Sequence, residues 1–113
     1  IRRLPDGKRL VMLYNDRGET PWGDETFNYR TPLAVAVSDD EGETWQRLGA
    51  LTDESLNYCY FSLLFFDQGQ RFIISAYESA FNHQPDGSVR RRNLASLKIW
   101  TGPTSLFRQE RIS

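Results

Sequence analysis

The stretch SDDEGETW, residues 38–45, decides how the rest of the chain is interpreted. It holds four acidic side chains in eight residues, which suggests a metal site or an acid/base pair, yet it ends in Thr-Trp, which neither role needs. A helix-loop-helix calcium loop needs ligands spread over about twelve positions between helices, and that pattern is absent. A tight β-turn explains the key residues instead. Asp40 can accept hydrogen bonds from its own turn, Gly42 permits a positive φ, and Trp45 can tuck inward under the loop. The sequence predicts a structural turn, with no metal and no catalytic role for the acidic cluster.

The length, charge and cysteine count of the chain restrict the class of protein. At 113 residues the chain is long enough for one modest domain with a buried core. Its 14 basic and 15 acidic residues give no reason to expect nucleic acid or an anionic membrane as a partner. The single Cys59 excludes an internal disulfide, and no apolar run approaches the ~20 residues of a membrane span. Because the chain starts at Ile1 without a Met, we expect it to be a fragment of a longer protein.

Short β-type segments, separated by Pro, Gly and Asp turns, run through the whole chain. No segment keeps a helical period over a useful length, and Val-rich, aromatic runs favour strands. The predicted strands are Lys8–Tyr14, Thr31–Ser38, Thr44–Leu48, Cys59–Phe66, Arg71–Tyr77 and Leu94–Trp100. The sequence therefore predicts an all-β fold.

An internal repeat organises these strands. An offset of 62 residues places the turn and strand of 7–12 on 69–74, places 33–37 on 95–99, and places Trp45 on Phe107. Each copy also carries a long polar stretch at an equivalent place, 16–29 and 79–93, predicted as loops. Four-stranded antiparallel units that repeat radially are the blades of a β-propeller. We predict about two blades, residues 1–54 and 55–113, the first lacking most of its opening strand.

Two blades bury too few faces to be stable alone, since about three repeats are usually needed. The missing blades are expected either from chain upstream of Ile1 or from self-association of copies. Without them, the outer faces of the two units would be exposed apolar patches.

The turn and its flanks resemble a known family. Ser38-x-Asp40-x-Gly42-x-Thr44-Trp45 resembles an Asp-box (BNR repeat), the turn of sialidase (neuraminidase)-type β-propellers. YRTPLAVAVS, residues 29–38, resembles the family's Arg-x-x-Leu strand before the box, and residues 58–78 resemble its last blade. The resemblance runs from about Leu4 to Trp100. It implies the C-terminal portion of a six-bladed sialidase-like glycoside hydrolase.

The resemblance implies an enzyme that releases terminal sialic acid from glycans with retention, through a Tyr nucleophile instead of a carboxylate. By position, Tyr60 matches the nucleophile. Tyr58, two residues away and expected on the same face, is the competing assignment, and an aromatic that only packs is the structural alternative. The register stays open because Phe61 separates Tyr60 from Ser62, whereas the family has Tyr directly followed by Ser.

The resemblance also implies residues that support the substrate. Arg30 matches one of three arginines that grip the substrate carboxylate, and its apolar surroundings favour a partly buried side chain over a surface one. Glu78 matches a glutamate that holds another of these arginines, with a solvent-facing strand end as the alternative. The remaining catalytic groups are expected upstream of Ile1, so this chain alone is expected to be inactive. No cofactor is implied.

A different class remains open: a non-catalytic Asp-box propeller that binds glycan or protein through its rim loops. His83 is expected to be a solvated loop residue, and Trp22 either stacks on a sugar or pins its own loop. The sequence assigns no compartment; a secreted or periplasmic location would suit a glycan-degrading enzyme.

Overall fold

The chain forms two antiparallel β-sheets, which confirms the predicted all-β class. The computed structural model describes residues 1–16, 30–53, 56–83 and 89–108. Its elements are β1 (Arg2–Arg3), β2 (Leu10–Asn15), β3 (Leu33–Ser38), β4 (Gln46–Ala50), β5 (Asn57–Phe66), β6 (Arg71–His83), β7 (Val89–Pro103) and a 3-10 helix (Thr104–Arg108). Over these ranges, no helix has the length and apolar character needed to cross a membrane.

The first sheet is a meander with the strand order β1-β2-β3-β4. Its inner strand β3 reads Leu-Ala-Val-Ala-Val-Ser, pairs with β2 on one side and β4 on the other, and is buried at every position. The turn before β2 forms where the Asp-Gly pair predicts it: Asp6 Oδ1 accepts the backbone N–H groups of Lys8 at 2.9 Å and Arg9 at 3.2 Å. β2, β3 and β4 begin two residues later than the sequence pattern predicts, and β1 was not predicted.

The second sheet has the strand order β5-β6-β7, and all three of its strands are longer than predicted. The polar stretch 79–93 is not one long loop, so that prediction is wrong: β6 runs to His83 and β7 begins at Val89. Backbone pairing continues through Phe81↔Arg91 and His83↔Val89, because ladder hydrogen bonds do not require apolar side chains. After β7 the chain turns into the 3-10 helix.

The 62-residue repeat has a structural counterpart. β1, β2 and β3 fall at this offset on parts of β5, β6 and β7, which pair in the same antiparallel order. The tight turns also correspond: Gly7 has φ 75° and Gly69 has φ 82°. Gly7 N–H donates to Leu4 O at 2.9 Å, and Gly69 N–H donates to Phe66 O at 3.1 Å. The two units are therefore variants of one backbone motif.

The core lies between the two sheets. Val11, Val35, Val37 and Leu48 of the first sheet pack against Leu63, Phe72 and Ile74 of the second. The 3-10 helix completes this core with Phe107, which is fully buried. The ring of Phe107 lies 4.9 Å from that of Phe72 and 6.0 Å from that of Phe65, measured between centroids. Burial of aromatic and aliphatic side chains from both sheets makes one continuous apolar cluster.

The two units contact each other through opposite faces. Val35 and Val37 of the first unit point into the shared core. Their counterparts 62 residues later are Leu97 and Ile99, which lie on the far side of the second sheet and are 63% and 51% exposed. A two-fold arrangement would bury equivalent residues on both sides of the joint. Here the second unit instead turns its opposite face toward the first, as repeats do when each packs on the next in the same sense.

Candidate functional site

The SDDEGETW stretch forms the tight turn that its sequence predicts. Ser38 Oγ donates to Asp40 Oδ1 at 2.8 Å and accepts the Gly42 N–H at 2.9 Å. The Asp40 carboxylate also accepts the Thr44 N–H at 2.9 Å and the Thr44 hydroxyl at 2.6 Å. The hydrogen bonds from Thr44 and Ser38 lower the pKa of Asp40 to about 2. Because these local donors occupy the carboxylate, Asp40 shapes the turn.

The other residues of the turn are also engaged locally. Glu41 has φ 60° and binds Arg3 through two hydrogen bonds of 2.7 and 2.8 Å. Gly42 has φ 89° and lies against the partly buried Trp45 ring, so Trp45 covers the turn from outside the central core. In the part of the chain that the structure describes, no group of three or more His, Cys, Asp or Glu side chains could hold a metal ion.

A cleft opens where β2 ends and β5 begins. It has a volume of about 220 Å³ and is lined by Asn15, Arg30, Cys59, Tyr60 and Phe61. Two residues that the sequence assigned to a site, Arg30 and Tyr60, therefore face one cavity although they are 30 positions apart in the chain. We take this cleft as the candidate functional site.

Arg30 is fixed to β5 by its backbone. Its N–H donates to Asn57 Oδ1 at 2.6 Å, and its carbonyl accepts the Tyr58 N–H at 2.7 Å. The Arg30 side chain is exposed, so the expectation of partial burial is wrong: the sheet begins only at Leu33, and Arg30 precedes it at the cleft edge. No described carboxylate lies within ion-pair distance of its guanidinium. A planar guanidinium that is exposed and has no described carboxylate partner can bind an anion through two parallel hydrogen bonds.

Tyr60 is placed by a β-bulge in β5. The pairing of β5 with β6 shifts register between Cys59 and Ser62, and Tyr60 has φ 52°, in the left-handed region. A left-handed backbone is uncommon for a residue with a large side chain, and bulges redirect the side chains they carry. The Tyr60 side chain is 75% exposed, and its ring meets that of Tyr77 edge-on, at 5.9 Å between centroids. The bulge therefore presents an aromatic hydroxyl at the cleft.

Tyr58 lies in a different environment. It is 5% exposed, packs with Leu33 and Ala76, and its ring centroid is 6.0 Å from that of Trp100. The prediction that Tyr58 and Tyr60 share a face is wrong, because the bulge breaks the two-residue alternation of the strand. Burial, reinforced by a hydrogen bond to Glu78, raises the pKa of Tyr58 to about 12. Tyr58 thus keeps its proton at any pH where a glycosidase works.

Glu78 lies directly opposite Tyr58 in the β5–β6 ladder and is half-buried. Its carboxylate is one of the groups that raise the pKa of Tyr58. The described residues include no arginine within ion-pair distance of Glu78. The role expected for Glu78, holding an arginine, stays a prediction.

Other residues of the cleft carry no signal in the sequence. Asn15 ends β2, and its Nδ2 donates to Tyr58 O at 3.0 Å, which joins the two sheets beside the cavity. Asn57 holds the Arg30 backbone, and the buried Cys59 lies in the cleft wall next to Tyr60. An Asn at a strand end is ordinary, so only the tertiary contact shows its function.

Trp22 lies outside the described residues. Comparison with known proteins finds no matching family model, no matching curated protein and no matching solved structure.

Proposed function

We propose that this chain supplies about two blades of a sialidase-like Asp-box β-propeller, a glycoside hydrolase that removes terminal sialic acid from glycans. One observation carries the proposal: the exposed Tyr60 and the Arg30 guanidinium, without a described carboxylate partner, line the same cleft. The family resemblance assigns a nucleophile and a carboxylate clamp to these two positions. The Asp-box turn and the repeat, whose units pack by opposite faces, support the propeller.

Arg30 provides the specificity in this proposal. A sialic acid carries a carboxylate on its anomeric carbon, and a guanidinium binds a carboxylate through two parallel hydrogen bonds. Hydrogen bonds to a charged group contribute about 1.5–3 kcal/mol each. The cleft is open and has a volume of about 220 Å³, so a bound sugar would be only partly enclosed by the described residues.

Tyr60 provides the nucleophile. Its hydroxyl oxygen bonds to the anomeric carbon while the glycosidic C–O bond breaks, a base takes the phenolic proton, and an acid protonates the departing oxygen. Water then displaces the tyrosine from the sugar, and two inversions give net retention. A neutral phenol approaches this carbon more easily than a carboxylate would, because the substrate carboxylate repels an anion. The acid and base lie outside the described lining, which contains no Asp or Glu.

A second candidate is a glycan-binding module without catalysis. The exposed Tyr60–Tyr77 pair would then offer an aromatic surface on which the apolar face of a sugar ring can stack. Both candidates use Arg30 in the same way, and they differ in what Tyr60 does.

Binding is tested by NMR titration of the isotope-labelled chain with N-acetylneuraminic acid and with its methyl ester. We expect weak binding of the acid, with shift changes at Asn15, Arg30 and Phe61, and weaker binding of the ester, which lacks the negative charge. Arg30→Gln should reduce affinity for the acid by about tenfold or more, since each 1.4 kcal/mol is a factor of ten. Tyr60→Phe, which keeps the ring, is the matched control. Equal binding of acid and ester would contradict the proposal.

Turnover separates the two candidates. In a protein that carries this chain together with further blades, Tyr60→Phe abolishes release of sialic acid from a fluorogenic sialoside and leaves binding intact if Tyr60 is the nucleophile. Tyr58→Phe is the matched control, because it removes a hydroxyl that is buried away from the cleft. Unchanged turnover in Tyr60→Phe would favour the binding module.

A further inference from the structure

We propose that Asn57 and Ser79 bind one internal water molecule, which fixes the Asn57 carboxamide and thereby the backbone of Arg30 at the cleft edge. Both side chains are buried, at 1% and 5% exposure. Asn57 Nδ2 and Ser79 Oγ nevertheless have no hydrogen-bond partner among the described residues. The proposal concerns how the cleft is held in shape, and it does not depend on the proposed glycosidase function.

The two unpaired groups lie on neighbouring strands at one position of the second sheet. Asn57 on β5 and Ser79 on β6 are direct partners in the antiparallel ladder, so their side chains emerge on the same face. Tyr58 directs its backbone away from β6, because its N–H donates to Arg30 O and its carbonyl accepts from Asn15 Nδ2. Asn57 and Ser79 therefore form a hydrogen-bonded pair of the ladder, the wider of the two spacings, with Cα atoms about 5.5 Å apart. At this spacing the short Ser79 side chain does not reach the carboxamide.

The orientation of the Asn57 carboxamide follows from its bond to Arg30. The Arg30 backbone nitrogen can only donate, and the atom that it meets at 2.6 Å is Asn57 Oδ1, so the remaining polar atom is the Nδ2 donor. Because the two atoms diverge from one planar carbon, Nδ2 is directed away from Arg30. A buried N–H that donates to nothing destabilises a fold, and so does a buried hydroxyl without a partner. A group that accepts from Nδ2 and also bonds the Ser79 hydroxyl relieves both.

Water is the ligand whose chemistry fits these two groups. It accepts a hydrogen bond from Asn57 Nδ2, and it can either donate to the Ser79 hydroxyl or accept from it. A metal cation needs acceptor atoms, and the Nδ2 donor would repel it. An anion would exchange its hydration shell for two neutral groups, which do not compensate for the lost hydration. Buried water in proteins typically binds polar groups that the chain itself leaves unpaired.

The water acts on the cleft through Asn57. The Arg30 backbone is held at two atoms, since its N–H donates to Asn57 Oδ1 and its carbonyl accepts the Tyr58 N–H. A carboxamide that is bonded at both Oδ1 and Nδ2 cannot rotate. One that is bonded only through Oδ1 can turn about its Cβ–Cγ bond, which weakens the bond to Arg30. Asn57 and Ser79 are therefore positioning residues for Arg30.

A crystal structure of the chain at a resolution that shows ordered water tests the site directly. One water oxygen should lie about 2.7–3.2 Å from both Asn57 Nδ2 and Ser79 Oγ. A direct hydrogen bond between the two side chains would overturn the proposal, and so would a gap between them without water density.

Hydrogen exchange of the Arg30 amide tests the effect on the cleft. Ser79→Ala removes one partner of the water and should speed exchange at Arg30 about tenfold, as the loss of roughly one hydrogen bond would. Ser75→Ala is the matched control and should leave this exchange unchanged, because it removes a hydroxyl on the same face of β6 that is paired with Ser62 at 2.8 Å. Circular dichroism verifies that both variants are folded. Unchanged exchange at Arg30 in Ser79→Ala would overturn the proposal, as would an equal change in both variants. None of these outcomes depends on whether the cleft binds sialic acid.

Discussion

Replacing Gly69 with Ala is expected to destabilise the chain more than the same change at its counterpart, Gly7. Both residues have a positive φ, 82° and 75°, which costs an L-residue about 1–2 kcal/mol. Their surroundings differ. A Cβ at Gly7 would meet nothing within 4 Å, whereas a Cβ at Gly69 would lie 2.7 Å from Pro5 Cβ and 3.1 Å from Pro5 Cγ. The repeat thus offers two equivalent turns, of which one is open and one is packed.

The difference in cost comes from this contact. Pro5 is a rigid ring attached to its own turn, so it cannot move aside as the end of a flexible side chain could. Overpacking typically adds about 1–3 kcal/mol, so we expect about 1–2 kcal/mol for Gly7→Ala and about 2–5 kcal/mol for Gly69→Ala. For a chain of this length, each kcal/mol lowers the melting temperature by about 4 °C.

Urea unfolding of the two variants measures the difference directly. A double-mutant cycle isolates its cause: in a Pro5→Gly background, Gly69→Ala should cost no more than Gly7→Ala does in the natural sequence. If Gly69→Ala and Gly7→Ala destabilise the chain equally, the two turns do not touch and the reasoning fails. If the Pro5→Gly background leaves the extra cost in place, the strain has another source.

Three further predictions concern the turn, the two tyrosines and the terminal helix. Folding lowers the pKa of Asp40 to about 2, so the ionised Asp40 stabilises the fold fully above pH ~4 and loses this effect as the pH falls through 2. The urea midpoints of Asp40→Asn and of the natural chain should therefore differ near neutral pH and converge in acid. Tyr58→Phe should destabilise the fold by about 1 kcal/mol, because the hydroxyl it removes is buried beside Glu78, and Tyr60→Phe should destabilise it less, because the Tyr60 side chain is 75% exposed; urea unfolding measures both. Phe107→Ala should cost about 3–5 kcal/mol by thermal melting, since its ring is fully buried; a cost below 1 kcal/mol would place the 3-10 helix outside the core.

Local sequence patterns predicted the parts of this fold that depend on local chemistry. The tight turn at residues 38–45 follows from the hydrogen-bonding capacity of Ser38, Asp40 and Thr44 and from the backbone freedom of Gly42. The all-β class follows from short Val-rich and aromatic runs between turns. The long β6–β7 hairpin was not predicted, because backbone hydrogen bonds between strands can form beside polar side chains, and polar side chains give no sequence signal for a strand.

The candidate site was predicted less completely, and the reason is geometric. Tyr60 and Tyr58 differ by two positions, and only the bulge at Cys59–Ser62 separates an exposed ring from a buried one. A bulge depends on how the partner strand pairs, which a single strand does not encode. Likewise, the position of the Arg30 backbone depends on its hydrogen bond to Asn57, a residue 27 positions away.

The opposite-face packing of the two units has a consequence for substitutions made at equivalent positions of the repeat. Val35 and Val37 are buried in the shared core, whereas their counterparts Leu97 and Ile99 are 63% and 51% exposed. The same substitution made at both positions therefore removes core packing in one unit and changes only surface in the other.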